Sequence, residues 1–203
     1  ASWRNHLDTL LPAPRKTTKV IHCAALAYQE IPEFFLELRA RDAIAARALE
    51  FCILTAARTG EVIGAKRSEV IDHVWIIPPS RMKMQKIHRV PLTPPCLEII
   101  DQIRNNEPQG DYLFSIKKRN LSNMAMLQLV KRMGKNITVH GFRSSFRDWV
   151  AETTEFPSDL AEAALAHAVR NPVERAYRRG TMLVRRRKMM MEWGDFCLSM
   201  IRK

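Results

Sequence analysis

The sequence predicts a mostly helical domain carrying one small antiparallel sheet. Three observations lead there. Apolar residues recur at helical spacing through most of the chain beyond about residue 42. A single stretch, 73–92, is β-branched and aromatic with a proline break in its middle. And 46% apolar residues in a chain of 203 residues are enough to build one core.

Taken in order, the first forty residues mix Pro12, Pro14 and Pro32 with a basic Arg15-Lys16 step and only short apolar groups. They read as a linker or arm, residues 1–40, leading into a domain over 41–203. Helical signal starts at Asp42, an N-cap type, after which Ile44, Ala48, Phe51, Cys52 and Thr55 share one face and deliver Arg58 at the helix's C-terminal end. His73-Val74-Trp75-Ile76-Ile77 reads as a strand, Pro78-Pro79-Ser80 interrupts it, and His88-Arg89-Val90-Pro91-Leu92 resumes it, with Lys83 and Lys86 in or beside the turn. Helices follow near 94–105, 120–133, 140–153, 157–167 and 172–178, with a last one from about 181.

Charge and composition narrow the function. Lys plus Arg number 33 against 21 Asp plus Glu, a net charge of +12, so polyanions are the expected partners, nucleic acid or an anionic membrane surface. No run approaches the roughly 18 apolar residues of a membrane span, and the N-terminus lacks the apolar core of a signal peptide, so a soluble, cytoplasmic protein is expected. Cys23, Cys52, Cys96 and Cys197 are scattered without a C-x-x-C pair, which points to reduced, mostly buried thiols rather than disulfides or zinc.

The chemistry-bearing residues are few. His140 and Arg143 stand three apart and share a face if helical, with Phe142, Phe146, Trp149 and Val150 burying the other side; the pair can present itself to an anion or be an ordinary solvated face. Arg58 precedes Thr59-Gly60-Glu61 and can be a fixed phosphate ligand or a cation at a helix C-terminus. Lys83 and Lys86 are turn lysines, either plain surface charges or proton donors to a departing oxygen. Between Arg170 and Lys188 eight basic residues stand against one acidic, Glu174, flanking Tyr177; phosphates nearby explain that excess better than a solvated face. His6, His22, His73 and His88 show no ligand-like spacing and read as structural or exposed. Two arginines, two histidines and a tyrosine form the set a metal-free enzyme needs to attack a phosphodiester: forks for the oxygens, imidazoles for protons, a phenol as nucleophile.

In order, Ala57-Arg58-Thr59-Gly60-Glu61, Arg81-Met82-Lys83-Met84 leading to Arg89-Val90-Pro91-Leu92, His140-Gly141-Phe142-Arg143, Leu165-Ala166-His167 and Ala176-Tyr177 resemble the catalytic domain of tyrosine recombinases, the integrases of temperate phages and genomic islands. The resemblance covers about residues 30 to 203. It implies a mainly helical catalytic fold with a small three-stranded antiparallel sheet, clamped around double-stranded DNA at attachment sites without metal, nucleotide or other cofactor. Arg58 and Arg143 would grip the scissile phosphate, His140 assist proton removal from Tyr177, His167 hydrogen-bond a phosphate oxygen, and Lys83 protonate the departing 5′ oxygen. Tyr177 would become joined to the 3′ phosphate. Lys83 is preferred to Lys86 because it stands seven residues before Val90, as the resemblance implies.

Ala166 departs from the Gly found in many L-G-H motifs of the family. The chain also lacks the arm-binding and core-binding domains that usually precede the catalytic one, and so reads as the C-terminal fragment of a longer integrase. The resemblance further implies a homo-tetramer on DNA, aided by DNA-bending and directionality factors, with the tail 181–203 exchanged between subunits; in free solution the tail can fold back in cis and leave a monomer. A topoisomerase of type IB, relaxing supercoils with a similar residue set, and a non-catalytic DNA-binding module are the alternatives.

Overall fold

The computed structural model describes residues 24–106, 110–167 and 182–201. Within them the order is α1 (Ile31–Arg39), α2 (Ile44–Thr55), α3 (Thr59–Ile63), β1 (Val70–Ile71), β2 (Val74–Ile77), β3 (His88–Pro91), α4 (Pro94–Asn106), β4 (Ser115–Ile116), β5 (Arg119–Asn120), α5 (Ala125–Arg132), α6 (Gly141–Thr153), α7 (Ser158–Ala164) and α8 (Leu183–Cys197). The expected mainly helical fold is present, and so is its three-stranded antiparallel sheet, in the order β1-β2-β3 with Trp75 opposite both Val70 and Val90.

Helix α2 is the axis of the domain. Ala46, Ala48, Leu49 and every residue from Glu50 to Thr55 are buried, as expected of a helix surrounded on all sides. Helices α1, α3, α4, α5, α6 and α8 all pack on it. Phe51 bridges to the sheet and to the chain beyond α4, its ring 5.4 Å from Trp75 and 5.3 Å from Phe114. Helix α8 closes the far side. Met189, Met190, Trp193 and Cys197 are buried, and the Trp193 indole N–H donates to the Ile53 carbonyl at 2.9 Å. The tail expected to exchange between subunits therefore packs on its own domain here.

Several boundaries differ from the sequence expectation. Residues 31–39, assigned to a linker, form a helix whose Ile31, Phe34, Phe35 and Leu38 are core members. Its apolar positions sit behind Pro32, a helix-start residue that reads as a linker signal when the helix is short. Asp42 does not cap α2. The cap position is the extended Ala43, without a side-chain bond, and the Arg47 guanidinium instead reaches back to the carbonyls of Arg39 and Arg41, 3.0 Å each. The helix expected from residue 120 starts at Ala125, because 115–120 form a second hairpin. Lys117 and Lys118 supply its two left-handed residues in place of the usual Asn-Gly signal. Helix 157–167 ends at Ala164. Residues 1–23, Tyr177 and the helix expected over 172–178 lie outside the described residues. Of the four cysteines, Cys52, Cys96 and Cys197 are free and buried; Cys23 falls outside.

Candidate active site

Arg58 does not end α2, as the sequence suggested. The helix stops at Thr55, Ala56 turns left-handed (φ 50°), and Arg58 becomes the N-cap residue of α3. Glu61, one turn on, holds it twice: the carboxylate accepts from the Arg58 backbone N–H at 2.9 Å and from the guanidinium at 2.8 Å. Glu61 is buried while the Arg58 side chain stays about a quarter exposed, with one arm of the fork held on the carboxylate. Arg81, which opens the loop carrying Lys83, donates to the Glu61 backbone carbonyl and pairs with Glu69, which also accepts from the Trp75 indole at 3.0 Å. Arg81 thereby ties the root of the lysine loop to the helix that holds Arg58. Gly64 makes room for it, since a Cβ there would lie 3.3 Å from the Arg81 guanidinium and 3.2 Å from the Gly60 carbonyl.

Arg143 is only 4% exposed, so of the two readings open to the H-x-x-R spacing the solvated face does not hold for it. It reaches beneath α6 to donate to the Ala56 carbonyl and, at 2.7 Å, to the Leu165 carbonyl. The ends of α2 and α7 are thus joined by one guanidinium. Burial and the neighbouring Arg58 charge lower its pKa to about 10, opposed by Glu61, Cys52 and Glu162, so it remains a cation at neutral pH. Its position depends on Gly141 as well, where a Cβ would lie 2.8 Å from the Ala25 Cα. The segment entering the fold crosses α6 at its first residue, which explains why the H-G-F-R cluster contains a glycine.

His167 enters through a helix stop. After α7 the backbone passes through Leu165 into left-handed Ala166 (φ 49°); the Ala166 N–H donates to Ala163 O at 3.3 Å and the His167 N–H to Glu162 O at 3.0 Å. These are the two bonds of a Schellman turn, usually completed by glycine. The turn sets His167 Nε2 3.1 Å from Arg143 Nη2, and the Arg58 guanidinium lies 3.5 Å from the Ala166 carbonyl. His140 stands exposed at the edge. Desolvation lowers its pKa, followed by the charges of Arg143, Arg58 and His167, leaving a neutral imidazole at neutral pH.

Four of the six expected site residues, Arg58, His140, Arg143 and His167, are therefore neighbours, drawn from three separate stretches of chain. A cavity of about 160 Å³ is lined by His140, Arg143, Ser144, Arg147, Asp148, Leu165 and His167. A roomier cavity of about 530 Å³ lies between the end of α6, the start of α7 and α8, and contains none of these side chains. Lys83 and Lys86 are both exposed on the 82–87 loop, and Tyr177 lies outside the described residues.

Two features escaped sequence reading. His88, expected to be structural or exposed, is on β3 among these cations. Burial lowers its pKa to about 3, Arg186, Arg58 and Arg143 push the same way, and a hydrogen bond to the Ala164 backbone opposes them. The basic run is also divided. Arg186 is buried and donates to the Arg89 carbonyl of β3, and Arg187 donates to Leu92 O at 3.1 Å and His73 O at 3.3 Å, so the two pin α8 to β3 and to the residues flanking the β2–β3 pair. Only Arg185 and Lys188 of the described part face solvent; Arg170, Arg175, Arg178 and Arg179 lie outside it. Among the described residues, no three His, Cys, Asp or Glu side chains group to hold a metal ion, and no helix is long and apolar enough to cross a membrane.

The profile of the phage integrase family matches residues 25–182. The chain is 33% identical over 150 residues to prophage integrase IntA of Escherichia coli K12, covering 70% of this chain and 36% of that protein. It is 32% identical over 197 residues to prophage integrase IntZ of the same organism, covering 93% and 48%. To the integrase of Enterobacteria phage P4 it is 28% identical over 209 residues, covering 92% and 48%. It thus spans between about a third and a half of these relatives' lengths. Among solved structures, a lambda integrase dimer bound to a COC′ core site matches with TM-score 0.60 at 18% identity, covering 77% of this chain and 62% of that one. XerA recombinase matches with TM-score 0.59 at 16% identity, covering 97% and 69%. At such identities the structural likeness is one of fold.

Proposed function

The chain belongs to the phage integrase family, and we propose that it is the catalytic part of a tyrosine-type site-specific recombinase that integrates or excises a prophage or genomic island. The observation that carries this reading is the convergence of three separate segments: His140, Arg143 and His167 line one small cavity, and the Arg58 guanidinium lies beside it, 3.5 Å from the Ala166 carbonyl. Such a cluster suits a phosphodiester whose charge grows during attack.

The Tyr177 oxygen bonds to the phosphorus of a DNA strand while the bond from phosphorus to the 5′ oxygen breaks, leaving a 3′-phosphotyrosine link. Arg58 and Arg143 hold the non-bridging oxygens, a task suited to planar forks. A free phenol has a pKa of about 10; its proton passes to His140, whose lowered pKa keeps it neutral and receptive. Lys83 gives a proton to the departing 5′ oxygen. Reversal with the 5′ hydroxyl of another strand rejoins the DNA, and the covalent link conserves the bond energy without nucleotide.

The substrate in this reading is duplex DNA at attachment sites. Two protomers cleave each of two duplexes, giving a homo-tetramer, with DNA-bending and directionality factors as further partners. Solved lambda integrase structures include a dimer on a core site and a tetramer on a Holliday junction, which supports the assembly by analogy. Work in the cytoplasm, on the nucleoid, follows from that substrate.

The test is incubation with a nicked suicide substrate followed by denaturing electrophoresis. The unaltered chain is expected to give a covalent adduct whose DNA-linked peptide contains Tyr177, and Tyr177→Phe to bind DNA without forming it. An undiminished adduct in that variant would overturn the assignment.

A further inference from the structure

Glu162 has no part in the roles above, yet its carboxylate joins two cavity residues. Oε2 lies 2.7 Å from His167 Nδ1, and Oε1 accepts from Arg147 Nε at 2.8 Å. Residues five apart on a helix do not ordinarily face each other. Here the left-handed turn at Ala166 folds His167 back over the end of α7, and the pair is joined through backbone and side chain alike.

The other ring nitrogen fixes the proton. His167 Nε2 is 3.1 Å from Arg143 Nη2, and a guanidinium has only donors. Nε2 therefore accepts with its lone pair, and the ring proton of the neutral imidazole sits on Nδ1, donated to Glu162. Desolvation pushes the Glu162 pKa up, but the hydrogen bonds from Arg147 and His167 and their charges outweigh it, so it stays an anion at neutral pH. Among the described residues, the other charged or titratable groups around the ring are Arg143, Arg147 and Asp148 from α6, His140 ahead of it and Arg58 ahead of α3.

We propose that Glu162 is the positioning residue for His167, holding its Nδ1–H tautomer and its ring plane against Arg143 at the cavity. The proposal rests on the recombinase reading. With Nδ1–H held on the carboxylate, Nε2 stays turned toward Arg143 and the cavity that would receive the phosphate. Metal-bound histidines oriented by a carboxylate follow the same logic, and loss of the carboxylate there costs 10- to 100-fold.

The experiment uses the full chain with ¹⁵N-labelled histidine, His167 being assigned through His167→Phe. Long-range ¹H–¹⁵N spectra are expected to show the Nδ1–H form in the unaltered chain and in Glu162→Gln, whose amide oxygen still accepts, and a shift toward Nε2–H in Glu162→Ala. Adduct formation on the suicide substrate is expected to slow about 10- to 100-fold in Glu162→Ala and less in Glu162→Gln. In a His167→Phe background, Glu162→Ala is expected to cost nothing further. An unchanged tautomer in Glu162→Ala, or an equal loss in both backgrounds, overturns the proposal and assigns Glu162 to holding Arg147. Absence of adduct from the unaltered chain counts against the recombinase reading instead, and the tautomer then decides this one.

Discussion

Arg143 and Lys83 both serve charge in the proposed reaction, yet the chain holds them in opposite ways. Arg143 is buried, bonded to the Ala56 and Leu165 carbonyls and adjoined by His167. Lys83 lies on an exposed loop with Met84 and Ile87, each about half exposed; the loop's root is fixed through buried Met82 and paired Arg81, and a bond from Gln85 N–H to the Met82 carbonyl at 2.9 Å closes the turn that carries the lysine. The tasks differ in the same sense. Gripping two oxygens while charge builds demands donors already in place, because reorganisation during the reaction forfeits their value. Giving one proton to a leaving oxygen needs reach, which a flexible ammonium on an exposed loop supplies once DNA is seated.

The comparison breaks first at the lysine. Lys83→Ala is expected to slow strand cleavage by roughly 10²- to 10⁴-fold, the usual worth of a general acid, while leaving the urea midpoint unchanged because nothing packed is removed. Lys86→Ala is expected to stay within a few fold. A 5′-bridging phosphorothioate substrate, whose sulfur leaves without a proton, should rescue the variant of the true acid. Rescue of Lys86→Ala and not of Lys83→Ala would exchange the two assignments.

At the other pole, Arg143→Lys should cost both activity and stability. Cleavage is expected to fall by about 3 kcal/mol in transition-state terms, the worth of one lost oxyanion donor. Stability is expected to fall by about 1–3 kcal/mol, since a point charge cannot serve two buried carbonyls that approach from different helices. Denaturant unfolding of the free protein measures the second loss without DNA. A lysine variant as stable as the unaltered chain would mean that this arginine is held for chemistry alone.

What the sequence disclosed follows the same division. Local periodicity reveals helices α2, α4 and α6, and the β-branched run at 73–77 reveals the sheet, because those signals are carried by residues close together in the chain. Ordered short motifs singled out Arg58, His140, Arg143 and His167, which the fold brings close together. What stayed hidden depends on contacts between distant segments. His88 carries no local mark and is recognised only where β3 meets the end of α7. Arg186 and Arg187 sit in a basic run that reads as a phosphate surface, yet they bond carbonyls near β3, more than ninety residues away. A charge count cannot separate solvated arginines from ones that serve as long hydrogen-bond donors.

His88 also gives the fixed side a signature in pH. Its folded pKa of about 3 lies below the ordinary 6.5, so the unfolded chain takes up a proton first and stability falls as pH drops from about 6.5 toward 3. Buried Glu50, in the shell of Arg39 and Arg47, works the other way: burial raises its pKa from 4.5 to about 7, so its contribution is present below about 4.5 and is lost as pH rises through 7. Between about 4.5 and 6.5 the two slopes oppose each other, each at most about 1.4 kcal/mol per pH unit. Glu50→Gln removes one of them, and its stability is expected to decline more steeply from pH 6.5 downward than that of the unaltered chain. Identical pH profiles of unfolding for the two proteins would mean that Glu50 does not titrate in this range.

The smallest expected effect lies at Ala166, where the fixed side of the site carries backbone strain. An L-residue in the left-handed region costs about 1–2 kcal/mol, and Ala166 has φ 49° between α7 and His167. Glycine removes that cost but gives back roughly 0.5–1 kcal/mol through the greater freedom of the unfolded chain. It also loses a half-buried methyl, worth up to about 0.4 kcal/mol at half the value of a buried carbon. The balance favours Ala166→Gly by about 0.5 kcal/mol, measurable as a small rise in the urea midpoint. Cleavage should stay within a few fold, because His167 is placed by the bonds from its own N–H and that of Ala166 to the end of α7, which glycine keeps. A loss of 1 kcal/mol or more, or a tenfold fall in cleavage at unchanged stability, would show instead that the methyl packing holds the turn and that His167 owes its orientation to it.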